Sequence, residues 1–117
     1  MLRRFFGQTP SPEGDVVTVD EAHRKLAARE AVMIDVREAD EWRAGHVPGA
    51  THLPLGELAA RIADITRDRE VLLFCRSGNR SGKATQFLRA QGFERARNVE
   101  GGIIAWTGRG MAVVTGQ

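Results

Sequence analysis

The 117-residue sequence contains a single cysteine, Cys75. One thiol excludes an intramolecular disulfide framework and a cysteine-based zinc site, and it makes a reducing compartment the simpler setting. Lysine is almost as scarce: Lys25 and Lys83 are the only two, so the basic side chains are nearly all arginine. The net charge is only +2, with acidic residues interleaved among the arginines, so no basic stripe points to nucleic acid. No apolar run approaches the roughly 20 residues of a membrane span. The opening segment, "MLRRFFGQTPSPEG", has only Phe5 and Phe6 behind its arginines, far short of a signal-peptide apolar region. These absences lead us to expect a soluble, cytoplasmic protein with neither a nucleic-acid nor a membrane partner. Internal repeats, heptads and low-complexity tracts are missing too.

What is present suffices for one core, since 42% of the residues are hydrophobic and 27% are charged. Residues 1–14 read as a flexible leader and 15–117 as a single domain. Thr18 with Glu21 forms a capping box that should start a helix, with Val19, Ala22, Leu26 and Ala27 on its apolar face, fading near Arg29. "AVMID" (31–35) reads as a buried strand ending at Asp35, and "READEWRAG" (37–45) as two helical turns closed by Gly45. A very short strand is expected at 51–54. Between Leu55 and Ile65, the spacing of Leu55, Leu58, Ala59, Ile62 and Ala63 predicts an amphipathic helix. "VLLFC" (71–75) has no polar alternation, as expected of a central strand covered on both faces. A helix should begin near Ser81 and stop at Gly92; a weak strand (96–99) and a short helix after Gly101 and Gly102 follow, and the tail from Met111 either pairs or frays. Strands alternating with helices at this spacing predict an α/β fold with a mainly parallel sheet and helices on both faces.

The chemistry concentrates where "VLLFC" meets "RSGNRS". A strand-end cysteine can be simple packing, since free cysteine is among the most buried residue types. Packing, however, explains neither two arginines nor a glycine within the next five residues. Gly78 lets the chain wrap so that successive backbone N–H groups point inward, and the dipole of the following helix reinforces that positive nest. Arg76, Arg80 and Lys83 add formal charge. Together these favour a thiolate over a thiol, and hence a nucleophile at neutral pH. His23, His46 and His52 lack metal-ligand spacing and read as surface or hydrogen-bonded structural residues.

Four motifs, in order, now carry a resemblance: "DVRE" (35–38), "GHVPGA" (45–50), "CRSGNRS" (75–81) and "GGIIAW" (101–106). The sequence resembles single-domain members of the rhodanese family of sulfurtransferases over nearly all of residues 15–110. That resemblance implies a five-stranded, mostly parallel sheet and a cysteine alternating between thiolate and persulfide. By the same resemblance, Cys75 is the sulfur-accepting cysteine, and Arg76, Ser77, Gly78, Asn79, Arg80 and Ser81 form the loop that cradles the transferred sulfur. Arg76 and Arg80 are candidates for attracting an anionic donor, with the alternative that Arg80 only braces the loop. Asp35 and Arg37 are read as loop support. Gly45, His46, Pro48, Gly49, Gly101, Gly102 and Trp106 are read as turn-makers and packing, and Trp42 as packing or a surface contact.

The implied reaction moves sulfur from thiosulfate or a persulfide to a thiol, cyanide, or a protein thiol such as thioredoxin, with no cofactor and no metal. Two other readings stand beside it. A cysteine-dependent phosphatase or arsenate reductase places five residues between its cysteine and arginine, whereas here four, Arg76 to Asn79, separate Cys75 from Arg80. The tighter ring suits a single sulfur better than a tetrahedral oxyanion. The other reading is a non-catalytic or sulfur-carrier module, since a fold alone does not fix a function.

Overall fold

The computed structural model describes residues 14–117, so the expectation of a leader falls almost wholly outside the described residues. Strand β1 (Val16–Val17) runs into helix α1 (Val19–Ala27) through the capping box the sequence predicts. The Glu21 amide donates to Thr18 Oγ1 (3.1 Å), and the Thr18 amide donates to Glu21 Oε1 (3.2 Å). A cap of this kind is worth about 1 kcal/mol. Val19 and Ala22 are buried from the first turns, turning one face of α1 onto the sheet.

Strand β2 (Ala31–Asp35) follows, then helix α2 (Ala39–Ala44), strand β3 (Thr51–His52), strand β4 (Glu70–Phe74), helix α3 (Asn79–Ala90), strand β5 (Ala96–Val99) and helix α4 (Gly102–Gly108). The sheet order is β1-β5-β4-β2-β3, and every pairing is parallel. Strand β4 lies in the middle with all five residues buried. Successive side chains of a strand point to opposite faces, and the two apolar clusters divide accordingly. Leu72 and Phe74 pack with Val19, Ala22 and Trp106 under α1 and α4. Val71, Leu73 and Cys75 pack with Ala84 and Leu88 of α3 on the other face. Leu72, Leu73 and Phe74 are each 0% exposed, a burial that contributes about 1.5–3 kcal/mol per side chain.

The stretch from Leu55 to Ile65 departs from the expected helix. It forms two separate 3-10 turns, Leu55–Glu57 and Ile62–Asp64. Its start is tethered along β2, because the Leu53 amide donates to Asp35 O and the Leu55 amide to Val36 O, both at 2.9 Å. Gly56 in the first turn further weakens an α-helical ladder. Leu58 and Ile65 are still buried, while Ala59 and Ala63, counted in the apolar face, are exposed. The tail pairs rather than frays: the amides of His46 and Val114 each donate to the other's carbonyl at 2.8 Å. Trp42 stacks face to face on His46, with centroids 3.6 Å apart, and more loosely on His52 at 4.9 Å.

Candidate functional site

Cys75 is the residue after β4, at the carboxyl end of the central strand, where open α/β sheets gather their functional loops. Gly78 turns the chain into α3 with φ +101°, a conformation side chains avoid, and a Cβ there would lie 3.3 Å from the Gly101 nitrogen. The helix therefore begins at Asn79, two residues earlier than its sequence pattern suggests. That places Ser81 in the first turn, where backbone N–H groups have no intrahelical partner. Its amide is directed to Cys75 Sγ at 3.3 Å, alongside the Gly78 amide at 3.1 Å and the Ser81 hydroxyl at 3.2 Å. Cys75 is fully buried, as packing would require, yet its sulfur faces a ring of donors. Burial pushes the thiol up, but the Ser81 hydroxyl and the amides of Ser81, Gly78 and Ser77 together outweigh it, holding Cys75 below the ordinary cysteine value.

The carbonyls of the same loop point the other way. Cys75 O accepts from the Ile103 amide (2.9 Å) and Arg76 O from the Ile104 amide (3.2 Å), both in the first turn of α4. This contact explains the "GGIIAW" motif. Gly102 has φ +53°, and a Cβ on it would overlap Cys75 O and lie 2.6 Å from Arg76 O. Trp106, edge-on to Phe74 with centroids 6.0 Å apart, holds α4 against the sheet behind the loop.

The charged candidates divide. Arg80 makes a two-pronged pair with Glu41 of α2, Nη1 to Oε1 at 2.7 Å and Nη2 to Oε2 at 2.9 Å. The Arg80 hydrogen bond, working against burial, holds the Glu41 carboxyl down to about 2, and the same bond raises Arg80. Arg76 and Lys83 are exposed, as are Ser77 and Asn79. Asp35 and Arg37 form a buried pair, with Arg37 Nη2 to Asp35 Oδ2 at 2.8 Å, and Arg37 Nη2 also donates to Gly45 O at 2.7 Å. Their pairing thus ties the "DVRE" motif to the "GHVPGA" motif, one strand away from the cysteine loop.

Two residues that the sequence reading passed over belong here. Glu41 is one. Asn98, on β5, is the other: its Nδ2 donates to Gly78 O (3.0 Å), and its Oδ1 accepts from the Ser81 hydroxyl (2.6 Å). A polar residue inside a short strand leading to a glycine pair was the available signal. His46 Nδ1 and His52 Nε2 lie 2.7 Å from the Trp42 and Arg37 carbonyls, and His23 packs beside Trp106, all in the structural roles expected of them.

Residues 18–109 match the rhodanese-like domain family. The chain belongs to the rhodanese family. A protein named sulfurtransferase from Allochromatium vinosum is 37% identical over 93 residues, which cover 80% of this chain and 87% of that protein. A putative sulfur carrier protein of Bacillus subtilis, YrkF, is 34% identical across 80% of this chain but only 51% of its own length. Among solved structures, a rhodanese-related protein of Thermoplasma volcanium superposes with a TM-score of 0.80 at 29% identity, covering 86% of this rhodanese-like chain and 97% of that one. The expected five-stranded sheet with helices on both faces is present, and all of its strands are parallel. Among the described residues, no helix is long and apolar enough to cross a membrane.

Proposed function

We propose that this rhodanese-like domain is a sulfurtransferase that carries sulfane sulfur on Cys75. The observation behind this reading is the donor ring: three N–H or O–H groups within 3.3 Å of one buried sulfur, in a loop whose carbonyls are held away from it. Such a ring stabilises negative charge on Sγ, and on one further sulfur attached to it.

In the first half of the reaction, the Cys75 thiolate attacks the outer sulfur of thiosulfate or of a small persulfide. A new S–S bond forms, the donor's S–S bond breaks, and sulfite or a thiolate leaves with the bonding pair. In the second half, an acceptor thiolate attacks the outer sulfur of the Cys75 persulfide. The bond to Sγ breaks, its electron pair returns to Sγ, and the acceptor departs as a persulfide. Cys75 is the catalytic residue, and the amides from Arg76 to Ser81 are the cradle. The chemistry needs no cofactor beyond the protein's own sulfur, and a reducing, cytoplasmic setting keeps the thiol available. Thioredoxin or another protein thiol fits the acceptor role chemically.

The Arg80–Glu41 pair argues against a phosphatase, because the arginine that would bind phosphate oxygens is already engaged by a carboxylate. The same pair supports different tasks for the two arginines. Arg76, exposed at the loop, attracts the anionic donor; Arg80 braces the loop, with Asp35 and Arg37 supporting it from the next strand.

The test is intact mass after incubation with thiosulfate. One added sulfur, removed by a thiol and missing from Cys75→Ser, is the expected result. No adduct from thiosulfate or from any persulfide donor overturns the reading and leaves the non-catalytic module. Aryl phosphate hydrolysis that depends on Cys75 would favour the phosphatase instead.

A further inference from the structure

The Ser81 hydroxyl lies within hydrogen-bond reach of two acceptors, Cys75 Sγ at 3.2 Å and Asn98 Oδ1 at 2.6 Å, and it has one proton to give. Which acceptor takes it follows from the other end of Asn98. Gly78 O is a carbonyl and can only accept, so the Asn98 group 3.0 Å from it is the amide NH2. Oδ1 therefore faces Ser81, and the shorter of the two contacts claims the proton. The hydroxyl then presents a lone pair to Cys75, where it accepts the S–H of a resting thiol.

We propose that Asn98 is a positioning residue that holds the Ser81 proton away from Cys75 in the thiol and yields it when charge forms on that sulfur. The exchange is a rotation about the Ser81 Cβ–Oγ bond in which no heavy atom moves. In the thiol and in the persulfide, whose Sγ is neutral, the hydroxyl stays on Asn98. When the Sγ–S bond breaks and its pair lands on Sγ, the proton swings to the new thiolate. Through Ser81, Asn98 sets how strongly the empty site favours thiolate and how well Cys75 leaves during sulfur delivery. The inference rests on Cys75 being the sulfur that reacts.

Other charges around the loop stay constant in this exchange. Arg80 is held by Glu41, Asp35 and Arg37 are paired with each other, and Arg97 of β5 is paired with Glu70 at the opposite end of β4. Arg76 and Lys83 are exposed, and α4 carries no charged residue within Gly102–Gly108.

The thiolate titration can be read directly by ultraviolet absorbance, because Cys75 is the only cysteine and the sequence has no tyrosine to add a phenolate signal. The measurement compares the full chain with Asn98→Ala, Ser81→Ala and the double variant. A hydrogen bond to a charged group corresponds to about one pH unit. With Ser81 present, Asn98→Ala should place the midpoint about one unit lower, relative to the shift that the same substitution causes in the Ser81→Ala background. That comparison subtracts any loosening of Gly78 that Asn98 causes as a brace. An equal shift in both backgrounds, or a relative rise with Ser81 present, overturns the proposal. Should Asn98→Ala not fold, Ser81→Ala alone decides. A rise of no more than about half a unit supports the competition, because the gain on the thiolate is offset by the bond given up to Asn98; a larger rise means that Ser81 donates without opposition, and that or a fall sinks it. None of these outcomes depends on sulfur transfer, so the mass experiment on the persulfide stands or falls separately.

Discussion

Arg80 and Glu41 meet through two parallel hydrogen bonds of 2.7 and 2.9 Å, joining the first turn of the helix after the cysteine loop to α2. On the proposed reading, the pairing makes this arginine of the loop motif a strut. Arg80→Ala should therefore slow sulfur uptake from thiosulfate and from an uncharged sulfane-sulfur donor by similar factors, because both donors use the same loop. Steady-state rates with the two donors check this, and a loss confined to thiosulfate would return Arg80 to substrate binding.

Arg76 should behave in the opposite way. It is exposed, and among the described residues no carboxylate pair like that of Arg80 holds it in the loop. Arg76→Ala is expected to lower kcat/KM for thiosulfate about fivefold while leaving the uncharged donor nearly unchanged, a loss worth about 1 kcal/mol of exposed charge. The selectivity should shrink as salt is added.

The Glu41 carboxyl titrates near 2 in the folded chain against 4.5 as its ordinary value, chiefly because of the Arg80 hydrogen bond. A depressed folded-state value means that the pair's contribution to stability is complete above about pH 4.5 and is lost as the pH falls towards 2. Glu41→Gln should cost about 1 kcal/mol at neutral pH, and the gap between variant and parent should close across that acid window. Urea unfolding at a series of pH values measures both.

Much of this is legible in the sequence alone. The central strand, the loop and the following helix sit side by side in the chain, so an unbroken apolar run, a glycine and a charged turn sufficed to place them. The capping box at Thr18 and Glu21 is equally local. The contacts that were not legible cross the fold: Arg80 and Glu41 lie 39 residues apart, and Ser81 and Asn98 lie 17 apart. Whether Arg80 is strut or ligand depends on where α2 lands, which no spacing within the loop encodes. The helix expected from Leu55 to Ile65 failed for a related reason. Its apolar spacing was right for facing the core at Leu58 and Ile65, but hydrogen bonds to β2 set the path of the backbone.

Gly102→Ala should be among the most damaging single substitutions, because its Cβ would meet two carbonyl oxygens of the cysteine loop at a positive φ. A loss of more than about 3 kcal/mol in urea unfolding is expected, together with a higher thiol midpoint in whatever fraction still folds.

At the far end of β4, Lys25 Nζ and Arg97 Nη1 share the buried Glu70 carboxylate, at 2.8 and 2.7 Å. Glu70→Ala removes the anion both cations face and should cost about 3–5 kcal/mol. The Cys75 titration should not change, since the two sites sit at opposite ends of one strand. A shifted midpoint would mean that strand β4 transmits strain along its length.

The anchoring of Cys75 O and Arg76 O by α4 bears on the turnover cycle as a whole. With their oxygens held, these peptide groups cannot flip, so their dipoles are aligned before any charge arrives. In the proposed reaction, passing from thiolate to persulfide and back would move the charge by one sulfur–sulfur bond length within a fixed field. For each proposed half-reaction, the reorganisation energy that water would spend on turning its dipoles is thus spent in advance, when the chain folds.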